Sequence, residues 1–148
     1  RAEVGRRGMS RFLLDTVTIS ASRRPLQNPE VARWFEANRT GEFFMSALTL
    51  GELQQGVELA RDAVSRNVLQ RWLVSVRALY QGRVIPFGPD EALAWGTLYA
   101  PLRIAGNPPA VIDSMIGATA ALHGLTVVTR NVSDFVPLGV EVASPWES

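Results

Sequence analysis

Cysteine and lysine are both missing from the 148 residues, and histidine occurs once, at His123. Without thiols the chain forms no disulfide, holds no thiolate zinc site and cannot use a cysteine nucleophile. Any metal it holds must be held mainly by oxygen, which favours Mg²⁺ or Mn²⁺ over zinc. No run approaches the ~20 apolar residues of a membrane helix. The sequence also lacks a G-x-S-x-G elbow, a G-x-x-x-x-G-K-[ST] loop and a G-x-G-x-x-G turn. The usual nucleotide-binding and serine-hydrolase readings therefore find no support.

What is present is the composition of a folded domain, with 47% hydrophobic and 20% charged residues. The net charge of +1 gives no general attraction to a polyanion. All fifteen basic residues are arginine, whose planar fork suits phosphate. Arg1, Arg6, Arg7, Arg11, Arg23 and Arg24 crowd the first part of the chain, where a solvated basic end is the favoured reading over contact with RNA. Residues 1–8 are polar, lack the apolar region of a signal peptide and read as a leader without regular structure before Met9. Residues 9–148 are expected to form one domain, and a cytoplasmic location is expected.

Short apolar runs at 12–14, 43–45, 84–87, 126–129 and 140–143 predict strands. Segments of helical period lie between them. One opens at Asn28, a candidate N-cap, with Pro29 in the first turn. Others span 49–60 and 64–80, begin at Pro89, and run over 110–123 to a stop at Gly124. Strands alternating with helices predict a three-layer α/β/α fold around a mostly parallel sheet, with the strand C-terminal ends along one edge. Ligands of such sheets bind at that edge.

Four carboxylates fall just beyond predicted strand ends or at helix starts. Asp15 follows Phe12-Leu13-Leu14, Glu52 lies one turn into the helix after the second strand, Asp113 is in the first turn after Pro108-Pro109, and Asp134 follows the fourth strand. Each has an ordinary alternative: Asp113 complements a helix dipole, Asp15 and Asp134 cap turns, and Glu52 faces solvent. Four acids at one edge, with no lysine or histidine beside them, favour a divalent cation instead. Such an ion lowers the pKa of bound water and clamps phosphate oxygens, which is what phosphodiester hydrolysis needs. Thr16 and Arg130 stand beside these acids as candidates for contact with a metal-bound water or a phosphate. Arg130 is equally suited to pairing with one of the acids. His123, at a helix C-terminus, reads as structural. Trp34, Trp72, Trp95 and Trp146 read as packing residues rather than base-stacking ones.

The segments FLLDTVTIS at 12–20, SALTLGELQQGVE at 46–58, VIDSMIGATAALHGLTVVTRNVSDF at 111–135 and the closing SPW, in this order and spacing, resemble a PIN domain of the VapC toxin type. The resemblance implies that Asp15, Glu52, Asp113 and Asp134 bind Mg²⁺ or Mn²⁺ and that Asn131 lies near the site. It also implies an RNA substrate, a homodimer, and a cognate antitoxin covering the site. Two positions depart from the family pattern. Val17 stands where the family usually has Asn, and Ala21 where an acid is common. These departures are the sequence features favouring the alternative, a weak or inactive PIN-like protein that binds RNA or a partner.

Overall fold

A computed structural model describes residues 9–147, so the leader expectation for residues 1–8, with Arg1, Arg6 and Arg7, lies outside the described residues. Five strands run β1 (Arg11–Leu14), β2 (Glu42–Ser46), β3 (Val84–Ile85), β4 (Thr126–Val128) and β5 (Val142–Ala143). They form one sheet in the order β3-β2-β1-β4-β5, and every pairing is parallel. The helices are α1 (Thr16–Ser22), α2 (Pro29–Ala37), α3 (Ala47–Glu58), α4 (Ala63–Leu79), α5 (Pro89–Ile104), α6 (Val111–His123) and α7 (Val132–Phe135). A 3-10 turn, Val136–Leu138, follows α7.

The layers follow from the two-residue period of the strands. Phe12, Leu14, Met45 and Val128 point to one face, where they pack with Ile19, Leu53, Val57, Leu73 and Val76 of the helices α1, α3 and α4. Leu13 and Val127 point to the other, against Ile116, Ala120, Phe135 and Leu138. Both faces are covered, as an all-parallel sheet requires. The chain first builds outward from β1 through β2 to β3, then crosses back to place β4 and β5 on the far side of β1. The direction of winding therefore reverses between β1 and β4, and such a switch opens a crevice at the strand C-terminal ends.

Local chemistry explains most helix ends. Ser46 Oγ accepts from Leu48 N at 3.0 Å and Asp62 Oδ1 from Ser65 N at 2.8 Å, capping α3 and α4. Gly124, at φ +67°, closes α6 in the left-handed conformation that glycine tolerates. Asn28 precedes α2 as expected but its side chain does not cap it. Its Nδ2 donates instead to the carbonyls of Ala21 and Arg24, tying α2 to the end of α1. The third strand stops at Ile85 rather than residue 87, since Pro86 has no N–H to give a ladder. The expected strand at 140–143 shortens to β5.

Helix α4 shows both faces of its stripe. Leu69, Trp72, Leu73 and Val76 pack into the core, whereas Val64, Val68, Val74 and Leu79 remain exposed. His123 is structural, as expected: its Nε2 meets Glu91 Oε2 at 2.8 Å and links the end of α6 to the start of α5. No helix of the described residues is long and apolar enough to cross a membrane.

Small residues on α6 permit its close approach. A Cβ at Gly117 would fall 2.3 Å from Leu138 Cδ1 and 3.3 Å from Phe135 Cδ1, both in buried side chains. At Gly56, in α3, a Cβ meets nothing within 4 Å. Gly117→Ala should therefore destabilise the fold by about 1–3 kcal/mol through overpacking. Gly56→Ala should stabilise it by about 0.5–1 kcal/mol, because alanine restricts the unfolded chain. Urea unfolding of both variants checks the contrast, and equal effects would refute it.

Candidate metal centre at the strand edge

Asp15 is the first residue beyond β1 and is 2% exposed. Its Oδ1 accepts from Thr18 N at 2.9 Å, so it also caps α1. Its Oδ2 accepts from Thr129 Oγ1 at 2.5 Å, and Thr129 is the first residue beyond β4. Thr129 Oγ1 in turn accepts from Asn131 N at 2.9 Å. The crevice between β1 and β4 is thus closed by a carboxylate and a hydroxyl. Burial raises the Asp15 pKa, against the opposing pull of Thr129 and Thr18.

Glu52 is half-buried in the second turn of α3, where Thr16 Oγ1 donates to its Oε1 at 2.5 Å. Thr16 also lies 3.2 Å from Thr49 Oγ1. Asp113 is in the first turn of α6 and Asp134 in α7, both half-buried. Burial is the largest influence on Asp113, followed by the neighbouring Asp134 carboxyl and then by the charges of Asp15 and Glu52. Together they push its pKa from 3.8 up to about 7. Asp15, Glu52 and Asp134, singled out in the sequence with Asp113, therefore all lie near enough to act on it, although the four come from separate segments.

The lesser candidates separate. Thr16 orients Glu52 through its hydroxyl. Asn131 is exposed and makes no side-chain cap to α7. Arg130 is exposed and sits over the ring of Trp146, 5.3 Å from its centre, rather than pairing with an acid. Trp34 and Trp72 pack against the core. Trp95 donates from Nε1 to Ser114 Oγ at 2.8 Å, beside Asp113. Val17 is exposed on α1 and brings no hydrogen-bonding group to the acids.

Sequence reasoning missed Thr129 and the helical state of α1. Thr129 ends a buried apolar run just as Asp15 does, and that shared position was the available signal. In α1, the β-branched run Thr16-Val17-Thr18-Ile19 argues against helix, but the Asp15 cap and the burial of Thr18 and Ile19 override it.

Among the described residues, no three Asp, Glu or His side chains already stand close enough to enclose an ion. The donor chemistry nevertheless fits a hard divalent cation. The set is all oxygen, and the Asp113 pKa is raised to about 7 by burial first and by the neighbouring carboxylates after it, a crowding that a cation relieves.

The family model for the PIN domain matches residues 12–135, a span that includes all four acids. The chain belongs to the PIN-domain family. Toxin FitB of Neisseria gonorrhoeae is 36% identical to it over 91% of this chain and 98% of that one. VapC ribonuclease Y4jK of Sinorhizobium fredii is 32% identical over 92% and 98% respectively. A crystal structure of FitAcB from Neisseria gonorrhoeae superposes with a TM-score of 0.84 at 34% identity, over 93% of this chain and 99% of that chain. These relatives place this PIN domain among the VapC-type toxins, and the fold expectation of a parallel three-layer architecture holds.

Two measurements test the site as it stands. Folded, Asp113 keeps its proton to about pH 7, and unfolded it releases it near 3.8, so the folded state binds the extra proton between these values. Its contribution to stability is complete below pH ~4 and is lost as pH rises through about 7. In EDTA, the Tm of the wild type relative to Asp113→Asn should fall across that window. A constant difference would show that Asp113 is not crowded. Separately, Thr129→Val deprives the buried Asp15 Oδ2 of its donor and should cost about 1–3 kcal/mol in urea unfolding.

Proposed function

We propose that this PIN domain is a Mg²⁺- or Mn²⁺-dependent endoribonuclease, the toxin of a toxin–antitoxin pair, with Asp15, Glu52, Asp113 and Asp134 holding the metal. The observation that carries this reading is the crowding of Asp113 by three other carboxylates at the strand edge where β1 and β4 diverge. Uncompensated, that crowding works against the fold. A relative of near-equal length that is called a VapC ribonuclease supports RNA as the substrate class.

A bound divalent ion supplies an acidified water and counter-charge for the phosphate and the leaving oxygen. The chain's contribution is placement. Thr18 N and Thr129 Oγ1 fix both oxygens of Asp15, and Thr16 fixes one oxygen of Glu52. Asp113 and Asp15 are the expected direct ligands, with Glu52 and Asp134 binding directly or through water. His123 is tied to Glu91 at the start of α5, so no imidazole serves as the proton carrier in this reading.

The relative called Toxin FitB supports a toxin role and with it an antitoxin partner; cover of the site by that partner and a homodimer belong to the same proposal, on the family resemblance alone. The exposed Val64 and Val68 on α4 offer apolar surface to a partner helix.

Purified protein free of partner, incubated with total cellular RNA, should yield discrete fragments in Mg²⁺ or Mn²⁺ and none in EDTA. Asp113→Asn should reduce cleavage to background while remaining folded by circular dichroism. Cleavage retained by folded Asp113→Asn would defeat the site. Intact RNA with the folded, metal-supplemented wild type would favour a protein that binds without cutting.

A further inference from the structure

Most arginines whose guanidinium contacts are described have committed their N–H groups. Arg11 reaches Glu42 and the carbonyl of His123, Arg39 pairs with Glu36, and Arg83 donates to the carbonyls of Phe43 and Leu79. Arg130 differs. It is exposed, its guanidinium carbon lies 5.3 Å from the centre of the Trp146 ring, and it makes no hydrogen bond or ion pair with a described residue. Contact with a ring spends none of its N–H groups on a hydrogen bond, and those groups form the fork that can grip two phosphate oxygens.

The position of this pair adds meaning to its chemistry. Arg130 directly follows Thr129, whose hydroxyl holds Asp15, and Asp134 follows four residues later beside Asp113. Trp146 lies just beyond β5, the strand next to β4, with its N–H bonded to Ser144 Oγ at 3.3 Å and with Pro145 buried before it. The indole is half-buried, outside both core clusters, so the expectation that it packs in the core does not hold. An open surface depression adjoins Arg130, lined also by Asn131, Val132, Ser133, Val136, Pro137 and Glu147. Glu147 opposes a phosphate at its own wall, which leaves the Arg130 end for the anion and the Val136–Pro137 side for sugar or base.

Four carboxylates repel an RNA backbone, so a strand entering this edge needs an uncommitted cation close by. Arg23, stacked on Trp72 in a similar way, stands beyond the far end of α1 and further from the acids in sequence. Resting on the ribonuclease reading above, we propose that Arg130, placed over the Trp146 ring, grips the backbone phosphate of the nucleotide flanking the scissile bond, with that nucleotide lying in the adjoining surface depression.

The test reads binding apart from cleavage. The probe is a fluorescein-labelled, single-stranded oligoribonucleotide of mixed sequence, titrated by anisotropy at several salt concentrations against full-length protein carrying Asp113→Asn. Adding Arg130→Ala should weaken binding about 5–10-fold and reduce the slope of log K against log salt by about 1, the signature of one lost phosphate contact. Trp146→Ala should weaken binding several-fold, and Trp146→Phe, which keeps an aromatic face, should restore most of it. Arg77→Ala, in the last turn of α4 at the opposite edge, should leave the salt slope unchanged. An Arg130→Ala protein with wild-type slope and affinity overturns the subsite, as does an equal loss with Arg77→Ala. Circular dichroism of each variant excludes misfolding, and Trp146→Phe keeps the test valid if Trp146→Ala does not fold. Metal-dependent cleavage by the wild type together with unaffected binding by Arg130→Ala sinks the subsite alone. Arg130-dependent binding without any cleavage sinks the nuclease reading and the placement beside a scissile bond, and leaves only a phosphate contact at Arg130.

Discussion

Asp15 ties β1 to β4, and the geometry of the candidate site depends on that tie. A carboxylate that is 2% exposed needs partners for both oxygens, or burial becomes prohibitive. The partners are a backbone N–H from α1 and the hydroxyl of Thr129, so one side chain starts a helix and bridges two strand ends. Because the order of the sheet reverses at this pair of strands, the bridge sits where a parallel sheet opens to a ligand. The Thr129 hydroxyl also accepts the N–H of Asn131, which sets the path of the loop that carries Asp134 toward Asp113. The second half of the acid cluster is thereby referenced to the first through a threonine.

The cluster sets fold and function against each other in a way that can be followed by residue. Asp113 is raised to about 7 by burial first and by three like charges after it. Lysine is absent from the whole chain, and His123 is engaged with Glu91, so neither type of side chain discharges the edge. Near neutral pH, a proton shared in this group is the internal remedy, and a divalent cation is the external one. The first favours the isolated protein at low pH. The second makes occupancy of the site and stability at neutral pH two sides of one equilibrium.

Much of this was legible in the sequence because the signals were positional. Asp15 directly after Phe12-Leu13-Leu14, and Asp113 four residues past Pro109, marked strand end and helix start without any knowledge of the fold. The alternating direction of the buried side chains Phe12, Leu13 and Leu14 divides the core into two clusters, which the apolar run itself could not reveal, since a strand buried on both faces shows no period. Thr129 escaped notice because a threonine ending a strand is ordinary until its partner, 114 residues away in the chain, is known. Helix α1 escaped because its local preference runs against its tertiary setting. The stacking of Arg130 on Trp146 joins residues from two loops, and no spacing rule connects them.

The two kinds of side chain at this edge do different work, and their burial separates them. Thr18, Thr49 and Thr129 are fully buried hydroxyls that hold or surround the acids without adding charge. Arg130 and Asn131 are exposed and adjoin the same loop. A hydroxyl orients a carboxylate at little cost in an apolar interior, because it satisfies its own hydrogen bond in doing so. An arginine placed there would instead neutralise the cluster and compete with a metal for its oxygens. Keeping the cation outside, exposed and beside an indole, preserves the negative charge within and still presents a positive group to an incoming phosphate. The net charge of +1 says nothing of this, since it sums over an arrangement whose sign changes across a few residues of one loop.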